Sequence, residues 1–166
     1  MIRVSKLADY AIVLMTYVAR DAGDRAVTAR ELSEVTRLPA PTVAKVCKAL
    51  AKAGLLVSQR GKAGGFVLAR PPVEISIAAI VSALDGPIGM TDCSLDEPIA
   101  CSFEAACPCR SNWQRINAAI VEALEGVRLD SMTPPRRSAG GTTLLRRPRS
   151  GRDSSTTSRG AREVKP

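Results

Sequence analysis

Apolar positions in the first third of the chain recur at helical spacing. Leu7, Ala11, Leu14, Met15 and Val18 fall at i, i+4, i+7, i+8 and i+11, which predicts a helix over 6–19. Thr28-Ala29-Arg30-Glu31 has the form of a capping box, the Thr oxygen taking a free backbone N–H while Glu31 reaches back. A short helix is predicted from there to about Thr36. Arg37-Leu38-Pro39-Ala40 is a turn, and Pro41 suits the first position of the next helix, 41–53. That helix carries Val43, Val46, Cys47 and Leu50 on one face. Its opposite face carries Pro41, Lys45, Lys48 and Lys52, flanked by Thr42, and Gly54 ends it.

The period then changes. Leu55–Gln59 and Phe66–Leu68 read as strands joined through Arg60-Gly61-Lys62-Ala63-Gly64-Gly65, a glycine-containing hairpin tip. Ser76 caps a further helix over 77–84, stopped by Gly86-Pro87. Residues 86–110 show no period. Ser111-Asn112-Trp113-Gln114 reads as a second capping box, opening a helix with Trp113, Ile116, Ile120, Leu124 and Val127 along one seam. The expected architecture is mainly α with a small β-hairpin wing: a winged helix-turn-helix over 1–85, a cysteine-bearing loop over 86–110 and a dimerisation helix over 111–130. The remainder, 131–166, is rich in Ser, Thr, Arg, Gly and Pro and is expected to be a disordered basic tail.

Charge sharpens this picture. The net charge is +8, but residues 133–166 hold nine Lys or Arg against two acids, so the first 132 residues are almost neutral. Within them the signs separate: seven basic residues and no acid from Arg37 to Arg70, then six acids and no base from Pro71 to Cys109. Histidine is absent, which removes imidazole ligands and Ser-His or Cys-His catalytic pairs; no enzyme is expected. No run of eighteen apolar residues is present and the first residues lack a signal-peptide core, so a cytoplasmic, membrane-free protein is expected.

A second helix with one buried and one cationic face, followed by a basic hairpin, is what major-groove reading by a winged helix requires. Three lysines by themselves would be read as a solvated face; the capped helix, turn and hairpin around them favour contact with double-stranded DNA. Thr28, Pro41, Thr42, Lys45, Lys48, Arg60, Gly61 and Lys62 are the candidate DNA contacts. Lys45 and Lys48 suit phosphates or guanine edges, and Arg60 suits a narrow minor groove. Gly61 and Gly64 are expected to let the hairpin backbone approach the duplex.

Four of the five cysteines lie in the patternless loop. Seven residues separate Cys93 from Cys101 and five separate Cys101 from Cys107, with Cys109 two further on, which is not the paired spacing of common zinc folds. Asp92, Asp96, Glu97 and Glu104 flank these thiols, and no Lys or Arg occurs until Arg110. That charge disfavours a nucleophilic thiolate, whereas a bound metal deprotonates thiols directly. Soft thiolates without histidine favour an iron–sulfur cluster, with zinc as the alternative and free thiols as the plain reading. Cys47, on an apolar helix face, is expected to be a small buried hydrophobe.

Taken together, several segments resemble the Rrf-type family of bacterial winged-helix regulators, which has iron–sulfur-sensing (IscR) and nitric-oxide-sensing (NsrR) branches. They are Val4-Ser5-Lys6-Leu7-Ala8-Asp9-Tyr10-Ala11, the helix-turn-helix from Thr28, Gly54-Leu55-Leu56 with Arg60-Gly61-Lys62-Ala63-Gly64-Gly65-Phe66, and the three cysteines before Asn112-Trp113. Cys107-Pro108-Cys109-Arg110-Ser111-Asn112-Trp113-Gln114 is most similar to the branch that regulates SUF-type iron–sulfur assembly genes. The resemblance covers about 1–132 and implies a homodimer joined through the helix from Ser111, palindromic promoter DNA, and a usually repressing regulator. It also implies Cys93, Cys101 and Cys107 as cluster ligands. In the IscR branch a histidine three residues past the last cysteine is the fourth ligand, and Arg110 stands there. In the NsrR branch an aspartate near the N-terminus of the partner completes the set, and Asp9 falls at that place. Asp9 is preferred, with Cys109 as the alternative; a [2Fe–2S] cluster is favoured and [4Fe–4S] stays open.

Overall fold

The computed structural model describes residues 3–20, 25–61, 64–95 and 107–133; Lys62, Cys101 and the expected tail beyond 133 lie outside the described residues. Helix α1 (Lys6–Arg20) begins at Ser5, whose hydroxyl accepts from the Ala8 N–H at 3.1 Å. Ala8, Ala11, Leu14, Met15 and Val18 are buried, and the expected Leu7 sits half-buried beside them.

Helix α2 (Ala29–Thr36) has the capping box its sequence announces. Thr28 Oγ1 accepts from Glu31 N at 3.1 Å, and the Glu31 carboxylate accepts from Thr28 N at 2.7 Å. Arg25 adds an ion pair to the same carboxylate at 2.7 Å. The Thr28 N–H, then Arg25, then the Thr28 hydroxyl hold the Glu31 carboxyl down at about 2. At the other end Arg37 turns the chain in the left-handed region, φ 57°, and Ser33 Oγ donates to Leu38 O at 2.6 Å, closing the turn.

Helix α3 (Ala40–Lys52) starts one residue earlier than expected, with Pro39 before it and Pro41 in its first turn, where a missing N–H costs nothing. Val43, Val46, Cys47 and Leu50 are fully buried. Strands β1 (Leu56–Gln59) and β2 (Gly65–Leu68) then pair antiparallel, Leu56 opposite Leu68 and Gln59 opposite Gly65. The hairpin is tied to the helix-turn-helix by one further bridge: Val27 N donates to Phe66 O at 3.0 Å and Phe66 N to Val27 O at 2.8 Å. A side chain at Gly65 would place its Cβ 2.7 Å from Val27 O, and one at Gly64 would meet Gln59 O at 2.6 Å. The wing's own closure therefore requires both glycines, a different reason for Gly64 from the DNA approach expected of it.

Helix α4 (Ile77–Asp85) is capped by Ser76 Oγ, which accepts from Ala79 N at 3.1 Å. Helix α5 (Arg110–Gly126) departs from expectation at both ends. It starts at Arg110 off the Pro108-Cys109 turn, with Trp113 N donating to Cys109 O at 3.0 Å. Ser111 is then already inside the first turn, so the expected capping box does not form. The helix also stops at Gly126 rather than 130. Val127, expected at the end of the seam, is in extended chain instead. There Ile77 N donates to Val127 O and Leu129 N to Ile75 O, each at 2.9 Å. A last turn, α6 (Leu129–Met132), buries Leu129 completely against α1 and the 3-10 turn Pro72–Glu74.

Removing the cap by Thr28→Ala is expected to lower stability by about 1 kcal/mol in chemical denaturation. The Glu31 carboxyl is lowered in the folded state, so its contribution is fully present above pH 4.5 and is lost as pH falls through about 2. The stability gap between the native chain and Glu31→Gln should therefore narrow between those two pH values; a constant gap would contradict the capping account.

Candidate nucleic-acid interface and cysteine segment

The burial of Val43, Val46, Cys47 and Leu50 fixes which side of α3 faces outward. Pro41, Lys45, Lys48 and Lys52 are exposed on it and Thr42 is half-buried. The first turn of α3 has no acidic residue and no side-chain cap, so the positive end of the helix dipole is not offset locally. On the preceding helix the carboxylates are engaged: Glu31 with Arg25, and Glu34 with Arg30 at 2.9 Å. The surface formed by the outer side of α3 is thus cationic in character. At the wing, Arg60 and Gly61 are exposed, and Gly61 adopts φ 108°, open to glycine and strained for other residues. Thr28 differs from the other expected contacts, because its hydroxyl is already engaged by Glu31, accepting from N and donating to Oε2 at 2.9 Å.

The thiols divide by environment. Burial pushes the Cys47 thiol up to about 11, in keeping with a packing role. Cys93 lies half-buried in the 3-10 turn Asp92–Ser94, its Sγ 3.3 Å from Thr91 Oγ1. Cys107 is half-buried and Cys109 exposed, both immediately before α5. Asp9 is exposed in the first turn of α1. Among the described residues no three His, Cys, Asp or Glu side chains converge as a metal site, and Cys101 lies outside them.

Sequence reasoning passed over Asn117. It is buried in the middle of α5, and its side-chain amide bonds the backbone of Ile88, Met90 and Ser94. The signal was present as a polar residue one helical turn from both Trp113 and Val121, on the side of α5 that faces α4. Between α4, residues 87–95 and α5 runs a groove of about 840 Å³ whose lining includes Ser82, Cys93, Gln114 and Asn117. The expected seam is bare only in part: Trp113 is 38 % and Ile116 45 % exposed, while Ile120 is half-buried and Leu124 packs against the core.

Two helices joined by a tight turn, then a hairpin tied back to them, define a winged-helix protein, and its outward helix and wing are basic. The chain belongs to the Rrf2 family of iron-dependent transcriptional regulators, whose model matches residues 4–135. A putative HTH-type transcriptional regulator of Aquifex aeolicus is 31 % identical over 74 % of this chain and 85 % of its own length. The HTH-type transcriptional repressor NsrR of Streptomyces coelicolor is 30 % identical over 74 % of this chain and 82 % of its own. Among solved structures, CymR, the global cysteine regulator of B. subtilis, aligns with a TM-score of 0.63 at 26 % identity, covering 80 % of this chain and 96 % of that one. T. potens IscR aligns with a TM-score of 0.60 at 28 % identity, covering 79 % and 85 %. The chain is a DNA-binding transcriptional regulator and not an enzyme. No described helix is long and apolar enough to cross a membrane.

Lys48→Ala is expected to weaken binding to promoter and random DNA alike, and to reduce the slope of log K against log salt by about 0.9, the loss of one phosphate contact. A loss confined to promoter DNA with an unchanged salt slope would make Lys48 a base reader instead.

Proposed function

We propose that the chain is a homodimeric, iron–sulfur-dependent repressor of palindromic promoters, with SUF-type cluster assembly genes as its targets and the cytoplasm as its location. The observation that carries this reading is the junction at the start of α5. The helix follows Cys107 and Cys109 directly, and among the described residues the first part of its apolar seam, Trp113 and Ile116, is exposed. One element thus belongs at once to the cysteine segment and to a surface that asks for a partner.

The donor set fits the group: half-buried thiols at Cys93 and Cys107, a carboxylate at Asp9 and no imidazole anywhere in the chain. Cys93, Cys101 and Cys107 would hold the cluster, with Asp9 of the partner subunit, or Cys109, as the fourth ligand. Likeness to regulators named IscR and NsrR supports a metal cofactor, and the SUF-like run Cys107–Gln114 supports the gene target. A [2Fe–2S] cluster is preferred and [4Fe–4S] is the alternative. Bound there, the cluster supplies a group that oxidants, nitric oxide or iron shortage can remove.

The protein's own residues do the rest. Residues 1–85 read DNA, α3 entering the major groove with Thr42, Lys45 and Lys48 while Pro41 shapes its start. Arg60, Gly61 and Lys62 of the wing approach the minor groove, and Thr28, bonded to Glu31 as the cap of α2, sets where that helix meets the DNA backbone. The segment 86–110 carries the cysteine ligands, the helix expected over 111–130 joins two chains through its observed part up to Gly126, and 131–166 adds a basic tail. Half-site spacing then depends on how the two α5 helices sit together.

Anaerobic purification with iron and sulfide analysis and a visible spectrum tests the reading. Iron with sulfide is expected. Zinc in their place would leave a zinc-based winged-helix regulator, metal-free protein a thiol-based one, and cluster transfer without a promoter footprint a small iron–sulfur carrier. Cys101→Ala should give colourless protein that still dimerises; retained iron would strike Cys101 from the ligands. Arg60→Ala should cost about 1–3 kcal/mol on the promoter and much less on random DNA. Equal losses would reduce Arg60 to a phosphate contact.

A further inference from the structure

Three backbone groups of the segment around Cys93 end on one side chain. Asn117 is 9 % exposed, the only buried residue of α5 among those described. Its Oδ1 accepts from Met90 N at 3.0 Å, and its Nδ2 donates to Ile88 O at 3.1 Å and Ser94 O at 3.4 Å. Donor and acceptor ends of the amide are therefore both used, and all three bonds go to residues 88–94. Within that stretch Ser94 N donates to Thr91 O at 2.9 Å, and Thr91 Oγ1 lies 2.7 Å from Ser94 Oγ and 3.3 Å from Cys93 Sγ. The sulfur is thus located relative to α5 through a short chain of polar contacts that begins at one amide.

The opposite end of the segment is held separately. Asp85, the last residue of α4, accepts from Ser5 Oγ at 2.6 Å, which fixes the point from which residues 86–95 leave the domain. Ile88 packs on the core and Asp92–Ser94 forms its own 3-10 turn, but the side-chain hydrogen bonds that tie this stretch to α5 all come from Asn117. An amide buried with all its groups paired is costly to replace, because each lost partner leaves a carbonyl or N–H without a substitute.

We propose that Asn117 is a positioning residue for Cys93, presetting the thiol against α5 so that displacement of the segment is felt by that helix. Its bearing on a cluster rests on the function proposed above; its bearing on the thiol does not. In the reduced, metal-free full chain, the rate of Cys93 alkylation by iodoacetamide is read by mass spectrometry, with buried Cys47 as the internal gauge of folding. Asn117→Ala should raise the Cys93 rate at least ten-fold while Cys47 stays protected. Should the alanine variant also expose Cys47, Asn117→Asp decides by the same comparison. It keeps the side-chain size and the acceptor for Met90 N, and turns a carboxylate oxygen toward the Ile88 and Ser94 carbonyls. An unchanged Cys93 rate, or a Cys93 rise matched by Cys47 in the Asp variant, overturns the proposal.

A second arm uses anaerobically reconstituted protein and follows loss of visible absorbance to an iron chelator. Loss at least ten-fold faster in the Asn117 variant than in the native chain is expected. Native protein that takes up no iron overturns the cluster reading and leaves the thiol arm to decide the role of Asn117. Native protein that holds its cluster no longer than the variant, with Cys93 equally protected in both, removes the positioning role alone.

Discussion

Helix α1 must hide an apolar face that no single neighbour is large enough to cover, and the arrangement of the described chain follows from that requirement. Leu14, Met15, Ala8 and Ala11 are wholly removed from solvent. The cover comes from α2, α3, α4, β2 and α6, elements drawn from nearly the whole described length. Burying a side chain the size of Leu14 is worth roughly 1.5–3 kcal/mol. Packing on α1 is therefore what makes eight-residue helices such as α2 and α4's nine residues stable where isolated helices of that length would not be. It also sets the orientation of α3, whose buried face meets α1 and α4, and so leaves the lysine face outward.

Polar contacts then fix what apolar packing leaves free. The Thr28–Glu31 box determines where α2 begins, and the Val27–Phe66 bridge places the wing one residue before it. Helix α2 and the wing are thereby referred to the same point of the chain. Gly65 has no room for a Cβ beside Val27 O, so this reference depends on a residue with no side chain at all. Ser5, capping α1 while bonded to Asp85, does the same for the exit of α4.

Local signals carried most of the winged helix in the sequence. The 3.6-residue period gave α1 and the buried face of α3, the Thr28 and Ser76 caps gave the starts of α2 and α4, and Gly-rich chain between β-rich runs gave the hairpin. What could not be read was whatever depends on a distant partner. Leu129 is a core residue only because the Ile75–Ile77 stretch bridges Val127 and Leu129, and nothing near 129 announces that. Ser111 looked like a cap because its motif is right. The Pro108-Cys109 turn had already launched the helix, and a motif inside a first turn caps nothing. For the cysteine segment, spacing and charge suggested soft-metal chemistry without indicating how Cys93 is held, since Asn117 acts from 24 residues away.

Helix α5 is consequently restrained in three places of different kinds. Its first turn follows Cys107 and Cys109, its middle is bonded to the Cys93 segment, and its last turn runs into the bridge to residues 75–77. The far restraint is backbone hydrogen bonding backed by buried Leu129, so it yields least. The middle restraint combines the Asn117 amide with packing on α4 and on the 3-10 turn Asp92–Ser94, and the first is covalent continuity with thiol-bearing chain. Sliding α5 along its axis would break the backbone bridge at its end, so that end is the fixed reference for the helix. Trp113 and Ile116, the exposed large apolar residues of the helix, lie at the opposite end, next to the cysteines. The exposed apolar surface of α5 thus lies at the end next to the thiols, while the lysine face of α3 is held outward by the packing of its buried face on the core.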